Sequence, residues 1–133
     1  MVAKKKLVVE NEGCTKKEIL DGILAELQNS GGIDASAIVS VEGLLLAEMA
    51  PSDIDIKIFS ALCASVMGAA ETALEQMSKG KAEQVIIKGE SGQLFLLPAG
   101  QKAVLAGLAK LNSNIGLILL EMGKATDKIS KVL

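Results

Sequence analysis

The stretch from Asp53 to Ser78, DIDIKIFSALCASVMGAAETALEQMS, carries the most informative pattern in the chain. With residues placed about 100° apart, Ile56, Ile58, Phe59, Leu62, Cys63, Val66, Met67, Leu74 and Met77 fill an arc of roughly 180°. A surface helix on a globular core needs little more than about 100°. The opposite side holds Lys57, Ala61, Ala64, Ser65, Gly68, Glu71, Thr72 and Glu75. That back is mostly small and sparsely charged. The pattern predicts one long helix, capped by Ser52, with Asp53 and Asp55 favourable in its first turn. One face suits a sheet. The other is hard to justify in water, and its small residues would let another backbone approach. Gly68 in mid-helix costs about 1 kcal/mol relative to Ala, which points to a packing reason.

Upstream, Thr15-Lys16-Lys17-Glu18 is a capping box that opens a first helix. Its apolar stripe is Ile19, Leu20, Ile23, Leu24 and Leu27, and Asn29-Ser30-Gly31-Gly32 ends it. Ala35 to Val41 reads as a strand, Glu42-Gly43 as a turn, and Leu44 to Met49 as the returning strand, broken at Pro51. Downstream, Glu83 to Lys88 contains Val85-Ile86-Ile87 and reads as a third strand. Gln93 to Leu97 follows after Gly89-Glu90-Ser91-Gly92, closed by Pro98-Ala99-Gly100, and Lys102 to Leu108 is the fifth. Asn112-Ser113-Asn114 caps a last helix marked by Ile115, Ile118, Leu119, Met122, Ile129 and Val132. The expected fold is α/β, of the α+β kind. Its order is αββαβββα, one five-stranded antiparallel sheet with helices packed on it. Residues 1–14 are expected to be a loosely ordered lead-in, and 15–133 the domain.

Composition bounds the function. The chain has 133 residues, half of them apolar, with no His and a net charge of −2. All 14 basic residues are Lys, and Phe59 and Phe95 are the sole aromatics. Without His there is no imidazole base, no Ser–His or Cys–His nucleophile pair and no His-ligated metal. Without Arg there is no guanidinium clamp for a transferring phosphoryl group. An acidic chain lacks the basic face that sequence-independent nucleic-acid binding needs. No stretch reaches the roughly 18 charge-free apolar residues of a membrane span. Cys14 and Cys63 make neither a disulfide framework nor a zinc site, so the expected compartment is the reducing cytoplasm.

Candidate chemistry is thin. Gly80-Lys81 and Gly123-Lys124 lack the remaining residues of a phosphate loop. Asp53 and Asp55, two apart, do not face each other on a helix. Cys63 falls inside the apolar arc and reads as a core thiol. Cys14, one residue before a helix N-cap, is the better placed of the two for reactivity. No catalytic residue, cofactor site or metal site is expected. What remains is an interaction surface, made of the back of the second helix and the exposed Val85-Ile86-Ile87 edge.

Several stretches resemble one family. These are the helix opening at Thr15, Ile38-Val39-Ser40-Val41-Glu42-Gly43-Leu44-Leu45-Leu46-Ala47, and the small-residue-rich second helix. Gly92-Gln93-Leu94-Phe95-Leu96-Leu97-Pro98 and Asn114-Ile115-Gly116-Leu117 complete the set. In that order and spacing they resemble the roadblock family, which includes dynein roadblock light chains and MglB-like regulators. The resemblance implies homodimers or paralogous heterodimers in which second helices pair and third strands join. It also implies contact with a Ras-like small GTPase, or with a motor or signalling complex, and no catalytic residues. On this chain the expected interface is Ala61, Ala64, Ser65, Gly68, Thr72, Val85, Ile86 and Ile87. The expected GTPase contacts are Lys57, Glu71 and Glu75. Two other functions are open to the sequence. One is a small-ligand sensor holding its ligand between helix and sheet. The other is a thiol enzyme using Cys14 or Cys63.

Overall fold

The computed structural model of the protein describes residues 14–30 and 32–133. The expected lead-in, Cys14 apart, therefore lies outside the described residues. The elements are α1 (Lys16–Asn29), β1 (Ile33–Ser40), β2 (Leu45–Met49), α2 (Ile56–Gln76), β3 (Val85–Lys88), β4 (Gln93–Ala99), β5 (Ala103–Ala109) and α3 (Ile115–Val132). Their order is the one expected. The strands form one antiparallel sheet in the order β2-β1-β5-β4-β3.

The sheet separates two hydrophobic layers. On one face α1 and α3 enclose Leu24, Ile38, Phe95, Leu105, Ile118, Met122 and Ile129, all fully buried. Alternation along each strand sends Ala37, Val39, Leu96, Val104 and Ala106 to the other face, beneath α2. Gly107 on β5 sets the spacing of the first layer. A Cβ there would meet Ile33 Cδ1 and Met122 Sδ, each at 3.1 Å. The capping box of α1 is reciprocal. Glu18 N donates to Thr15 Oγ1 at 3.1 Å, and Thr15 N donates to Glu18 Oε1 at 2.9 Å.

Two expectations need correcting. First, α2 is capped by Asp55, not Ser52. Asp55 Oδ1 accepts from Ile58 N at 3.3 Å, while Asp53 sits in a turn closed by Ile54 N donating to Pro51 O. The earlier residues are occupied in leaving β2, so the helix starts one turn late. Second, β4 continues through Pro98 to Ala99 instead of stopping at Leu97. β3 reaches only as far as Leu96, so at Pro98 one side of β4 has no partner. A residue without an N–H is tolerated there.

Candidate functional site

Among the described residues α2 lies alone on its face of the sheet, and its apolar arc is divided. Ser60, Cys63 and Met67 are its buried residues, with Ile56, Phe59, Val66 and Leu74 partly covered beside them. Ser60 is accommodated because its hydroxyl donates to Ile56 O at 2.7 Å. Ile58 and Leu62, expected in the sheet-facing arc, point to solvent at 59% exposure each, and Met77 at 70%. Hydropathy alone could not separate apolar residues that face the core from those that face outward.

The outward face of α2 therefore combines large apolar with small side chains. Ala61, Ser65, Gly68 and Thr72 are exposed on it, as expected. Ala69 and Ala73, also exposed, extend it and were not singled out from the sequence. The signal was present for Ala69, which falls opposite Ser60, Cys63 and Met67 on the helical wheel, and weaker for Ala73, which falls on the flank. A Cβ on Gly68 would meet nothing within 4 Å. Ala64 is different. It is half-buried against the β1–β2 turn, where the positive-φ Gly43 brings backbone close to Ala61 and Ala64. Part of the small-residue back is thus explained inside the chain, and Ser65, Gly68, Ala69, Thr72 and Ala73 are not.

Among the described residues the third strand is an open edge, pairing with β4 alone. Ile86 and Ile87 are exposed, whereas Val85 is half-buried in the layer under α2. Lys57 and Glu75 are exposed on one flank of α2. Glu71 turns toward the sheet instead. It borders a hollow of about 320 Å³ with Met67, Lys81, Ala82 and Val104. A second hollow of about 430 Å³ adjoins it, sharing Val41 and Gln101. The unpartnered buried oxygens among the described residues belong to Gln28, Ser36 and Gln93, which line neither hollow. A specific ligand site needs a few convergent polar groups. The buried polar residue lining the second hollow, Ser40, already accepts from Leu44 N through its hydroxyl.

Both thiols are free. Burial pushes the Cys63 thiol up to about 11, the reverse of what a nucleophile needs. Cys14 is exposed. No cluster of three or more His, Cys, Asp or Glu residues occurs among the described residues. By length and composition Ile56–Gln76 could cross a membrane, yet here one side of it packs on a sheet.

A family model for the Roadblock/LC7 domain matches residues 19–109. The chain belongs to the Roadblock/LC7 family. That family is one of regulatory and adaptor domains. The chain is 34% identical over 111 residues to the uncharacterized protein MJ0310 of Methanocaldococcus jannaschii, covering 84% of this chain and 96% of that one. Its fold superposes on MglB of Myxococcus xanthus with a TM-score of 0.83 at 18% identity, covering 87% of this chain and 88% of that one. The gliding protein MglB of Thermus thermophilus gives 0.81 at 18% identity, covering 89% and 90%.

Proposed function

We propose that this Roadblock/LC7 chain is a non-enzymatic adaptor that dimerises and, as a dimer, regulates a Ras-like small GTPase in the cytoplasm. One observation carries the reading. The face of α2 that the described residues leave uncovered is apolar and small, with Ile58 and Leu62 each 59% exposed. Contiguous exposed apolar surface marks interaction sites. The exposed Ile86 and Ile87 on an open sheet edge give a second point of attachment. Ser65, Gly68 and Thr72 are interface positions in this reading, with Ala61 and Ala64 at its margin beside Gly43 and Val85 behind the edge strand.

Lys57 and Glu75 then border the paired helices and offer the polar contacts for the GTPase, whereas Glu71, turned toward the sheet, is set back from them. The chain has no Arg, so it donates no guanidinium to a phosphoryl transition state. Its effect on hydrolysis is exerted by biasing the GTPase's own switch loops.

Recovery of a small GTPase on the immobilised chain, in the presence of GDP or a GTP analogue, tests this reading. Nucleotide-dependent capture supports it, and no GTPase in either state refutes it. Lys57→Ala separates the mechanisms. Binding and any rate effect fall together if Lys57 is a contact. Loss of acceleration at unchanged affinity would make Lys57 a transition-state cation and end the switch-loop account.

A further inference from the structure

We propose that this chain's own segment Lys4 to Glu12 lies as an intramolecular strap in the two hollows that meet at Val41 and Gln101. The near hollow, of about 430 Å³, lies beside α1, with Lys16, Ser40, Leu46 and Lys102 on its walls. The far one, of about 320 Å³, lies against Met67 and Glu71 of α2 and Val104 of β5. Leu46 packs with the α1–α3 layer and Val104 with the layer under α2. The joined hollows therefore lead round the end of the sheet from one face to the other. Val41 stands at the crossing. Its N–H donates to Lys102 O at 3.0 Å, so the backbone is fixed, yet its side chain is left 48% exposed.

Position selects the occupant. Residues 1–13 lie outside the described residues and join them at Cys14, two residues before Lys16 on the rim of the near hollow. Extended at about 3.3 Å per residue, the five steps from Cys14 back to Val9 reach up to roughly 17 Å, and the ten back to Lys4 up to roughly 33 Å. A short tether gives its segment a local concentration in the millimolar range, so even a weak contact is kept occupied. A peptide from another protein would have to compete against that advantage.

Chemistry agrees with position. Leu7-Val8-Val9 is the apolar run of the segment, and its β-branched valines favour the extended backbone a strap needs. The run falls where Val41 and Leu46 offer apolar walls. Glu10 and Glu12 lie between the run and Cys14, so they come to the near hollow, where Lys16 and Lys102 outnumber Glu42. Lys4, Lys5 and Lys6 precede the run and arrive at the far hollow, where Glu71 and Lys81 balance. Charge therefore fixes the near end, and burial of the run covers Val41 between the two. The path meets α2 at Met67 and Glu71 and leaves Ile58, Leu62 and Gly68 open, so the strap stands whether or not the chain dimerises.

The test uses the full chain, enriched in nitrogen-15 and carrying a nitroxide at Val8→Cys in a Cys14→Ser background. Cys63 is buried and stays unlabelled. In the NMR spectrum the amides of Val41, Gly100 and Gln101 should broaden, while those of Lys110 and Leu111, beyond the other end of β5, stay sharp. Lys16→Glu with Lys102→Glu should reduce that contrast about threefold, as for screened surface pairs, and adding Glu10→Lys with Glu12→Lys should restore it. Lys16→Glu places an acid in the first turn of α1, which the helix dipole favours, so the helix itself is not weakened. Leu7→Asp with Val9→Asp should remove the contrast outright. Uniform broadening, no broadening, or broadening indifferent to these substitutions overturns the strap. A mixing experiment separates one chain from two. Spin-labelled chains without nitrogen-15 are mixed with nitrogen-15 chains without the label, and the latter should stay sharp at Val41. Broadening there would show that a second copy supplies the segment, and the intramolecular strap would be wrong.

Discussion

α3 and α2 cover opposite faces of one sheet, but among the described residues only α3 is finished by its neighbours. α3 buries Ile118, Met122, Ala125, Thr126 and Ile129 against β4, β5 and the neighbouring α1. α2, three residues longer, buries Ser60, Cys63 and Met67, and has no helix beside it among those residues. Two helices side by side shield each other's flanks, and a lone helix keeps roughly half its circumference in water. A helix that remains strongly apolar under those conditions is a sign of a missing neighbour, and that is the physical content of the interface proposed here.

The sharpest test of the comparison is a matched pair of truncations. Ile129 is fully buried between α3 and the sheet, so Ile129→Ala should lower unfolding stability by about 2–4 kcal/mol, read by urea denaturation. Leu62→Ala removes a similar side chain from α2. At dilutions where the chain is monomeric it should change stability by less than about 0.5 kcal/mol, yet weaken dimerisation at higher concentration. Equal losses in the dilute monomer would mean that α2 is as finished as α3.

A smaller effect concerns the thiol that anchors α2. Cys63 is held neutral by burial, with its pKa raised from 9.0 to about 11. The unfolded chain releases that proton first as pH rises. The contribution of the neutral thiol is therefore complete below about pH 9 and is lost as pH climbs through about 11. Stability measured between these values should sag in wild type and sag less in Cys63→Ala, after allowing for the uniform loss from the smaller side chain. Alkylation at neutral pH should modify Cys14 and spare Cys63 in the folded chain. Fast native-state labelling of Cys63 would show that α2 lifts off its face of the sheet.

Gly68→Leu sets two terms against each other. The helix gains up to about 1 kcal/mol in propensity, and the new side chain enters the face proposed for the dimer. The dilute monomer should become more stable, since nothing lies within 4 Å of an added Cβ, while the dimer is lost. A Gly68→Leu dimer as tight as wild type would show that helices do not approach closely at this point.

How far such a site is legible in sequence depends on what kind of signal it leaves. Local chemistry was fully readable. Thr15 and Glu18 cap α1 reciprocally, Asn114 caps α3, and Gly43 makes the turn between β1 and β2. The start of α2 was not, because Ser52 and Asp55 are equally good caps and only the path out of β2 decides between them. The division of the α2 arc was hidden for a deeper reason. Leu62 and Cys63 are adjacent and both apolar, and nothing in the side chains says which one the sheet covers. That follows from the sheet being five strands wide with one helix on this face. Ser65 and Gly68 stand out in the sequence as a proposed approach surface, because a serine and a glycine in mid-helix weaken the helix unless a neighbour needs the room. Ala69 and Ala73 escaped notice because alanine is the ordinary filler of helices.

The smallest predicted effect concerns an ion pair on the finished side of the sheet. Lys128 of α3 hydrogen-bonds Glu26 of α1 across the seam of the finished layer, and that bond and charge hold the Glu26 carboxyl below its usual range. A depressed carboxylate stabilises the fold above its unfolded pKa, and the contribution fades as pH falls through the lower folded value. Both side chains are more than half exposed, so solvent and salt screen the pair, and only a few tenths of a kcal/mol should be at stake. Lys128 borders one hollow with Leu27 and Ala125; Lys128→Met keeps most of the aliphatic stem and removes the charge, whereas Lys128→Ala removes both. Urea denaturation at neutral pH should therefore find Lys128→Met close to wild type and Lys128→Ala somewhat less stable, with the difference insensitive to salt. Raising the salt should narrow the gap between wild type and Lys128→Met alone. A Lys128→Met loss as large as that of Lys128→Ala would mean that the seam is held by charge, and that the α1–α3 layer is less complete than its buried core implies.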